Sequence, residues 1–222
     1  MTEDRPPSHA TEPILQAGAP AGASRAALVV VHGRGATAQG AINLFEPLSR
    51  HGLAVFAPQA FRSRWYPSTP ETELEPDDPW FAASVDRVEA CLERAASVGV
   101  GAERTVLVGF SQGARVVAEF LCQSPRRYGG AGILAGTVPG VSSGADDRPA
   151  VGSLEGTPVL LASGEDDPNV SSSGLRSTAE FFESIDGDVD LVITPDTGHA
   201  VSDEAFAWLE RRVEAVLEST TR

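Results

Sequence analysis

Six short apolar runs rich in β-branched residues alternate, along this chain of 222 residues, with stretches of helical period. Each run is nearly continuous in its apolar character, which is typical of strands covered on both faces of a parallel sheet. The intervening stretches repeat apolar residues every three or four positions, as on one face of a helix. The sequence therefore predicts an α/β fold: one domain with a mostly parallel open sheet flanked by helices. The runs cover residues 27–31, 53–57, 105–110, 131–135, 158–162 and 189–194.

The boundaries of that domain follow from the pattern. We expect it to cover residues 11–222, with residues 1–10 forming a disordered N-terminus and residues 13–17 offering an additional edge strand. No apolar run approaches the roughly 20 residues of a membrane span, and no signal-peptide pattern begins the chain. A cytoplasmic location is expected on that basis.

The charge balance excludes several classes of partner. The chain has 31 Asp and Glu against 17 basic residues, all of them Arg, and a net charge of −14. Such acidity argues against binding to nucleic acid or to an anionic membrane surface. It is consistent with adaptation to high salt or with compositional drift. The two cysteines, Cys91 and Cys122, are too few for a disulfide scaffold or a thiolate metal site, and both are expected inside helices.

The strongest motif is Gly-Phe-Ser-Gln-Gly at residues 109–113, with an apolar run before it and an apolar helical stretch after it. Glycines at 109 and 113 remove side chains that would clash in a tight strand-to-helix turn. Such a turn exposes Ser111 Oγ as a nucleophile and directs the N–H of Gln112 towards an oxyanion beside it. The alternative is a structural turn in which Ser111 only caps the helix.

A serine nucleophile needs a base and an orienting acid, and if the turn belongs to an α/β-hydrolase, the acid and then the His follow the Ser along the chain. Of the four histidines, His9 lies in the loose N-terminal segment, and His51 follows a helix and is expected at the surface. His32 precedes the nucleophile and is expected to be a buried hydrogen-bonding residue. His199 remains, in the loop after the last predicted strand, where the base is required.

The orienting acid is sought after the run at 158–162, where Asp166 and Asp167 both occur. Asp167 is preferred because Pro168 favours an extended backbone at the residue before it. Asp166 stays open as the alternative. Asp196 is near His199 in sequence but lies outside the expected strand end.

The remaining site residues lie in loops after early strands. The segment His-Gly-Arg-Gly at 32–35 follows the first run, and the N–H of Arg34 is proposed as the second oxyanion donor. The Arg34 side chain either touches an acidic substrate group or is exposed to solvent. Trp65 and Tyr66 either form an aromatic pocket wall or pack their own loop. The long loop 137–156 is expected to border an acyl pocket.

At these positions the sequence resembles the phospholipase/carboxylesterase family of the α/β-hydrolases, which includes small carboxylesterases and acyl-protein thioesterases. The resemblance implies Ser111, Asp167 and His199 as a triad, the Arg34 and Gln112 amides as an oxyanion hole, and no large cap domain. The acidic segment 68–78 does not clearly match the family. Dienelactone hydrolases, a neighbouring group, typically carry Cys where this chain has Ser111. The matching pieces are residues 32–36, 57–60, 65–67, 109–113, 167–168 and 198–199.

Together these patterns predict a serine hydrolase that cleaves small-molecule carboxylic esters with short or medium acyl chains. Neither a metal nor an organic cofactor is expected, because no ligand motif for one occurs. Three alternatives stay open: an acyl thioesterase acting on acyl-protein or acyl-CoA, an acyltransferase, and a non-catalytic ligand-binding protein of the same fold. The oligomeric state is not specified, and a homodimer is one option.

Overall fold

A single sheet of seven strands forms the centre of the protein, in the order β1-β3-β2-β4-β5-β6-β7. The computed structural model describes residues 9–67, 78–141 and 148–219. Strands β2 to β7 run parallel, and β1 pairs antiparallel with β3 at one edge. The predicted α/β fold with a mostly parallel sheet is therefore confirmed, and the segment at 13–17 contributes an edge strand. The strands are β1 (Ile14–Gly18), β2 (Ala26–Val31), β3 (Leu53–Pro58), β4 (Thr105–Phe110), β5 (Gly130–Leu134), β6 (Thr157–Gly164) and β7 (Gly187–Thr194).

Helices cover both faces of the sheet and create two separate cores. On one face α2, α3 and α4 pack through residues such as Phe81, Phe120 and Phe182. On the other face α1 and α5 pack through Ala41 and Leu209. Strand β2 is buried along all six residues, as its continuous apolar pattern requires. The helices are α1 (Ala38–Leu44), α2 (Pro79–Ser97), α3 (Gln112–Gln123), α4 (Ser172–Ser184) and α5 (Asp203–Glu218).

Strand β7 departs from the prediction that every run is covered on both faces. It is the last strand in the sheet order and has only β6 beside it. Its residues alternate between half-buried and exposed positions over its first half, with Asp188 and Asp190 exposed. The apolar pattern of residues 189–194 therefore belongs to an edge strand that is only partly covered.

The N-terminal segment also differs from expectation. Residues 1–8 lie outside the described part of the chain, but His9–Thr11 forms a short 3₁₀ helix. His9 is 0% exposed, so placing it in a loose N-terminal segment was wrong. Its ring lies 5.5 Å from that of Trp65 and 6.5 Å from that of Trp80, which supply a buried aromatic environment.

The two cysteines lie in helices as predicted. Cys91 is buried in α2 and Cys122 is half-buried in α3. Burial raises the pKa of each thiol to about 12, so both are protonated at neutral pH. Among the described helices, none is long and apolar enough to cross a bilayer. The described residues also contain no cluster of three or more His, Cys, Asp or Glu that could hold a metal ion.

Candidate active site

The carboxyl ends of the parallel strands align at one edge of the sheet. Phe110 at the end of β4 pairs in register with Leu134, and Leu134 pairs with Ala162 in β6. Ser111 follows β4 directly, and loops after β6 and β7 carry Asp167 and His199. Ligands of open α/β sheets bind in the crevice at this edge, so the topology brings these three predicted residues to the expected place.

Ser111 occupies a strained turn between β4 and α3. Its φ of 55° and ψ of −119° are unusual for a residue with a Cβ, and the N–H of Ser111 donates to Leu134 O over 2.9 Å. A Cβ at position 109 would lie 2.2 Å from Gly113 O, and one at position 113 would lie 2.2 Å from Val31 O. The predicted reason for the two glycines, that side chains would clash in the turn, therefore agrees with the backbone geometry.

His199 contacts both other residues. Its Nε2 lies 2.9 Å from Ser111 Oγ, and its Nδ1 lies 2.8 Å from Asp167 Oδ2. Because the carboxylate can only accept, Nδ1 carries the proton and Nε2 accepts from the Ser111 hydroxyl. An imidazole held in this way can take the proton of a hydroxyl that attacks a carbonyl. The ring of Phe110 packs 5.0 Å from the imidazole and covers one side of it.

Asp167 is 8% exposed and accepts hydrogen bonds on both oxygens. Oδ2 accepts from Ser163 Oγ at 2.8 Å as well as from His199, and Oδ1 accepts from the N–H of Asn169 at 2.8 Å. Burial by itself would raise the pKa of Asp167, but these hydrogen bonds and the His199 ring outweigh it and lower the pKa below its usual value. Asp166, the alternative acid, is exposed, and its N–H donates to Thr197 O.

Gly164 brings the Asp167 and His199 loops together. A Cβ at this position would lie 1.9 Å from Thr197 O and 2.4 Å from Gly198 O, so only glycine allows the two loops to come this close. Sequence reasoning missed both Gly164 and Ser163, the last two residues of β6. Their only sequence signal is their position immediately before the acidic loop.

The two predicted oxyanion donors lie on either side of Ser111. Gln112 is the first residue of α3, where backbone N–H groups have no partner inside the helix. The loop after β2 passes close by, since a Cβ added at Gly33 would lie 3.3 Å from Ser111 Cβ. Arg34 follows in that loop and lines the same cavity as Ser111 and Gln112.

The two aromatic residues, Trp65 and Tyr66, have different surroundings. Tyr66 lines the cavity, whereas Trp65 is fully buried and is absent from the described lining. Trp65 Nε1 donates to His32 O over 2.7 Å, and the Gln112 side chain accepts from Trp65 N and donates to Tyr66 O. Trp65 therefore packs its own loop, after β3, as the alternative interpretation proposed. Its hydrogen bonds connect this loop with the loop after β2 and with α3.

His32 is buried and hydrogen-bonded, as the sequence predicted. Its Nε2 accepts from the N–H of Ala60 at 3.1 Å, and its Nδ1 lies 2.7 Å from Gly33 O. These partners require a neutral ring with the proton on Nδ1. Burial is the largest cause of a lowered His32 pKa, which agrees with a neutral ring.

A cavity of about 210 Å³ opens beside Ser111. Arg115 also lines it and was missed by sequence reasoning, although it interrupts the apolar stretch four residues after Ser111. The long loop after β5 contributes Thr137, in agreement with the expectation that this loop borders the pocket, while residues 142–147 lie outside the described part. Most of the acidic segment, residues 68–77, likewise lies outside it.

Comparisons with known proteins agree with this architecture. The family model described as phospholipase/carboxylesterase matches residues 14–217. The crystal structure of a phospholipase/carboxylesterase from Dyadobacter fermentans DSM 18053 superposes with a TM-score of 0.82 at 27% identity, covering 92% of this chain and 97% of that one.

Relatives of this chain carry similar names. A probable carboxylesterase, SOBER1-like, from Arabidopsis thaliana is 24% identical over 160 residues, which is 71% of this chain and 60% of that protein. Esterase YpfH of Escherichia coli (strain K12) is 34% identical over 110 residues, 50% of this chain and 44% of that protein. The chain thus spans 60% or less of the length of these two curated relatives. Since the family model matches nearly the whole chain, the predicted membership is confirmed: the chain belongs to the phospholipase/carboxylesterase family.

Proposed function

We propose that this protein is a serine hydrolase of carboxylic esters in which Ser111 is the nucleophile, His199 the general base and Asp167 the group that orients and stabilises His199. One observation carries the proposal: an unbroken line of hydrogen bonds runs from Asp167 through His199 to Ser111, 2.8 and 2.9 Å long. A capping role for Ser111 is not supported, since its side chain makes no capping hydrogen bond to α3.

The reaction follows from these contacts. His199 Nε2 takes the proton of Ser111 as Oγ bonds to the carbonyl carbon, and Asp167 stabilises the imidazolium that results. The tetrahedral intermediate then collapses: the bond to the alcohol oxygen breaks, and that oxygen leaves with the proton from His199. Water loses a proton to His199 as it attacks the acyl-enzyme, and collapse of the second intermediate releases the acid and returns the proton to Ser111.

The backbone N–H groups of Arg34 and Gln112 would stabilise the oxyanion in both intermediates. The Gln112 N–H lies at the start of α3, where the helix dipole also favours negative charge. Removal of one such donor in comparable enzymes costs about 3 kcal/mol of transition-state stabilisation. All bond changes in this route are balanced by Ser111, His199 and water, so the route requires no cofactor.

The cavity favours small substrates. Its volume of about 210 Å³ is less than the roughly 300–1,000 Å³ of pockets for drug-sized ligands. Short acyl chains therefore fit the described part of the pocket better than long ones.

Labelling with a fluorophosphonate probe tests the nucleophile directly. The folded wild-type protein should form an adduct on Ser111, located by peptide mass spectrometry, and Ser111→Ala should form none while losing activity by a factor on the order of 10⁶. Absence of an adduct in folded wild-type protein would contradict the proposal. Matched ethyl esters and thioesters in the same assay separate the esterase from the thioesterase, since a strong thioester preference would favour the second.

Two neighbouring aspartates provide a matched test of the acid. Asp167→Asn should lower kcat by up to about 10⁴-fold, because the amide no longer holds the proton on Nδ1 of His199. Asp166→Asn removes the same charge one residue earlier and should keep kcat near the wild-type value, because Asp166 is exposed. Equal losses in the two variants would argue against the assignment of Asp167.

A further inference from the structure

Arg115 lies one helical turn after Ser111 on α3. Its backbone N–H points to Ser111 O at 3.3 Å, and its side chain lines the cavity that opens beside Ser111. Ser111 immediately precedes α3 and lines the same cavity. The Arg115 guanidinium group therefore lies beside the space that a substrate of Ser111 would occupy.

The Arg115 side chain lacks a protein partner among the described residues. Its Nε is buried without a hydrogen-bond acceptor, and no ion pair within the described ranges includes it. A buried donor left without an acceptor costs about 1–3 kcal/mol. Arg87 and Arg212 also have a buried Nε without an acceptor, but of these three arginines only Arg115 lines the cavity beside Ser111. Arg148, by contrast, binds the carboxylate of Glu119.

The charged residues in the described lining of the cavity differ in sign from the net charge of the protein. The net charge of the chain is −14, yet the described lining contains Arg34 and Arg115 and no Asp or Glu. Both arginines also act on the hydroxyl of Tyr66 in the same wall: burial raises the Tyr66 pKa to about 12, and the two positive charges oppose that rise. The described lining of this cavity thus carries two positive charges and no carboxylate.

We propose that the substrate is an ester carrying a carboxylate a few bonds from the scissile carbonyl, and that Arg115 binds this carboxylate while Arg34 adds positive charge at the exposed side of the cavity. The inference rests on the proposed esterase function, since it concerns the ester cleaved at Ser111. A carboxylate can accept two parallel hydrogen bonds from one guanidinium group. Its small size also suits a cavity of about 210 Å³.

Matched ester pairs test the preference. On the acyl side, ethyl hydrogen glutarate is compared with ethyl glutaramate, which replaces the carboxylate by an amide of the same shape. On the alcohol side, 4-acetoxybutyrate is compared with 4-acetoxybutyramide. The wild-type protein should show a kcat/KM about 10- to 100-fold higher for the anion in one of the two pairs, as expected for hydrogen bonds to a charged group. The pair that shows it identifies the side of the ester that faces Arg115.

Two variants show whether Arg115 is responsible. Arg115→Gln should bring the ratio between anionic and neutral ester close to one. Arg211→Gln removes the same charge from an exposed position on α5 and should keep the wild-type ratio. A preference for the neutral ester in both pairs, or an unchanged ratio in Arg115→Gln, would overturn the inference.

A binding measurement keeps this result separate from the proposed function. Calorimetric titration with glutarate should show binding to the wild-type protein and to Ser111→Ala, with at least about tenfold weaker binding to Arg115→Gln. If the protein hydrolyses neutral esters but neither prefers anionic esters nor binds glutarate, the inference about Arg115 is refuted and the proposed esterase function stands. Absence of both hydrolysis and labelling of Ser111, with glutarate still bound, would refute the esterase while supporting an anion site at Arg115.

Discussion

Ser163 Oγ donates a hydrogen bond of 2.8 Å to Oδ2 of Asp167, the same oxygen that accepts from His199. The other carboxylate oxygen is held by the N–H of Asn169. These two hydrogen bonds, one to each oxygen, therefore fix the plane of the Asp167 carboxylate independently of His199. Ser163 is a positioning residue in this arrangement, because it acts on His199 only through Asp167.

Replacing Ser163 by alanine tests that role. Ser163→Ala should lower kcat about tenfold with little change in KM, because a hydrogen bond to the charged carboxylate is lost while the cavity is untouched. Steady-state kinetics on a short-chain ethyl ester measures both constants, and the melting temperature serves as the control for folding. A rise in KM with unchanged kcat would contradict the positioning role.

Gly164 and Gly198 make a second, paired prediction. A Cβ at Gly164 would collide with Thr197 O, whereas one at Gly198 meets no atom within 4 Å. Gly164→Ala should push the His199 loop away from Asp167 and lower kcat/KM by about 100-fold or more, since small displacements of reacting groups are costly. Gly198→Ala should retain most of the activity, although it is adjacent to His199. The reverse order of effects would show that the close approach at Gly164 does not set the site.

Away from the active site, Glu119 and Arg148 form an ion pair that joins α3 to the long loop after β5. Glu119 is 0% exposed, and its Oε1 accepts from Arg148 Nη2 at 2.7 Å, while Nη1 donates to Oε2. The side chain of Gln123 donates to the same Oε1 at 2.9 Å. Removing one partner would leave the other charge buried without compensation.

Glu119→Ala should therefore lower the free energy of unfolding by about 3–5 kcal/mol, measured by urea denaturation. The exposed pair of Arg50 and Glu214 supplies the comparison, because Glu214→Ala should cost less than about 1 kcal/mol. Similar losses in both variants would contradict a special contribution from the buried pair.

The buried rings of His9 and His32 should make the free energy of unfolding depend on pH. Both rings are buried, and burial is the largest cause that lowers each pKa below the ordinary 6.5. Arg87 also lowers the pKa of His9, while the hydrogen bond with Trp65 O and the charge of Glu12 oppose the change. Below pH 6.5 the unfolded chain takes up protons that the folded protein does not, so the free energy of unfolding must fall as pH falls from 6.5 towards the folded pKa values.

Each of these histidines contributes a slope of up to about 1.4 kcal/mol per pH unit. Urea denaturation of the wild-type protein at several pH values between about 6.5 and 5 should reveal it, and His9→Gln should reduce the slope. A slope unaffected by His9→Gln would show that the buried ring does not remain neutral in the folded protein.

The sequence predicted those features whose signal is local. The apolar runs located six parallel strands to within a few residues, and the glycines around Ser111 carried enough information to predict the turn. The candidates for the orienting acid were limited to Asp166 and Asp167, because the order of the strands indicates that the loop after β6 should carry this acid. For the strands and for the turn at Ser111, the signal lies in consecutive residues.

Features that depend on distant contacts were missed. The burial of His9 results from Trp65, which is 56 residues away, and nothing in the N-terminal sequence indicates that partner. Gly164 matters only because Thr197 approaches it. The sequence left two interpretations of Trp65 open, and hydrogen bonds with His32 O and Gln112 decide between them. Such pairings become visible only when the topology brings separate loops to one edge of the sheet.

The exposed aspartates of β7 have a consequence for how copies of this protein meet. An edge strand offers backbone groups that can pair with another strand, and charged side chains are a common protection against such pairing. Two copies joined through β7 would bring Asp188 and Asp190 of one copy close to the same carboxylates of the other. That repulsion acts strongly only within about 10 Å at an ionic strength of 0.1 M and shortens further as salt rises. Low salt therefore keeps the β7 edges of separate molecules apart, and concentrated salt weakens that barrier.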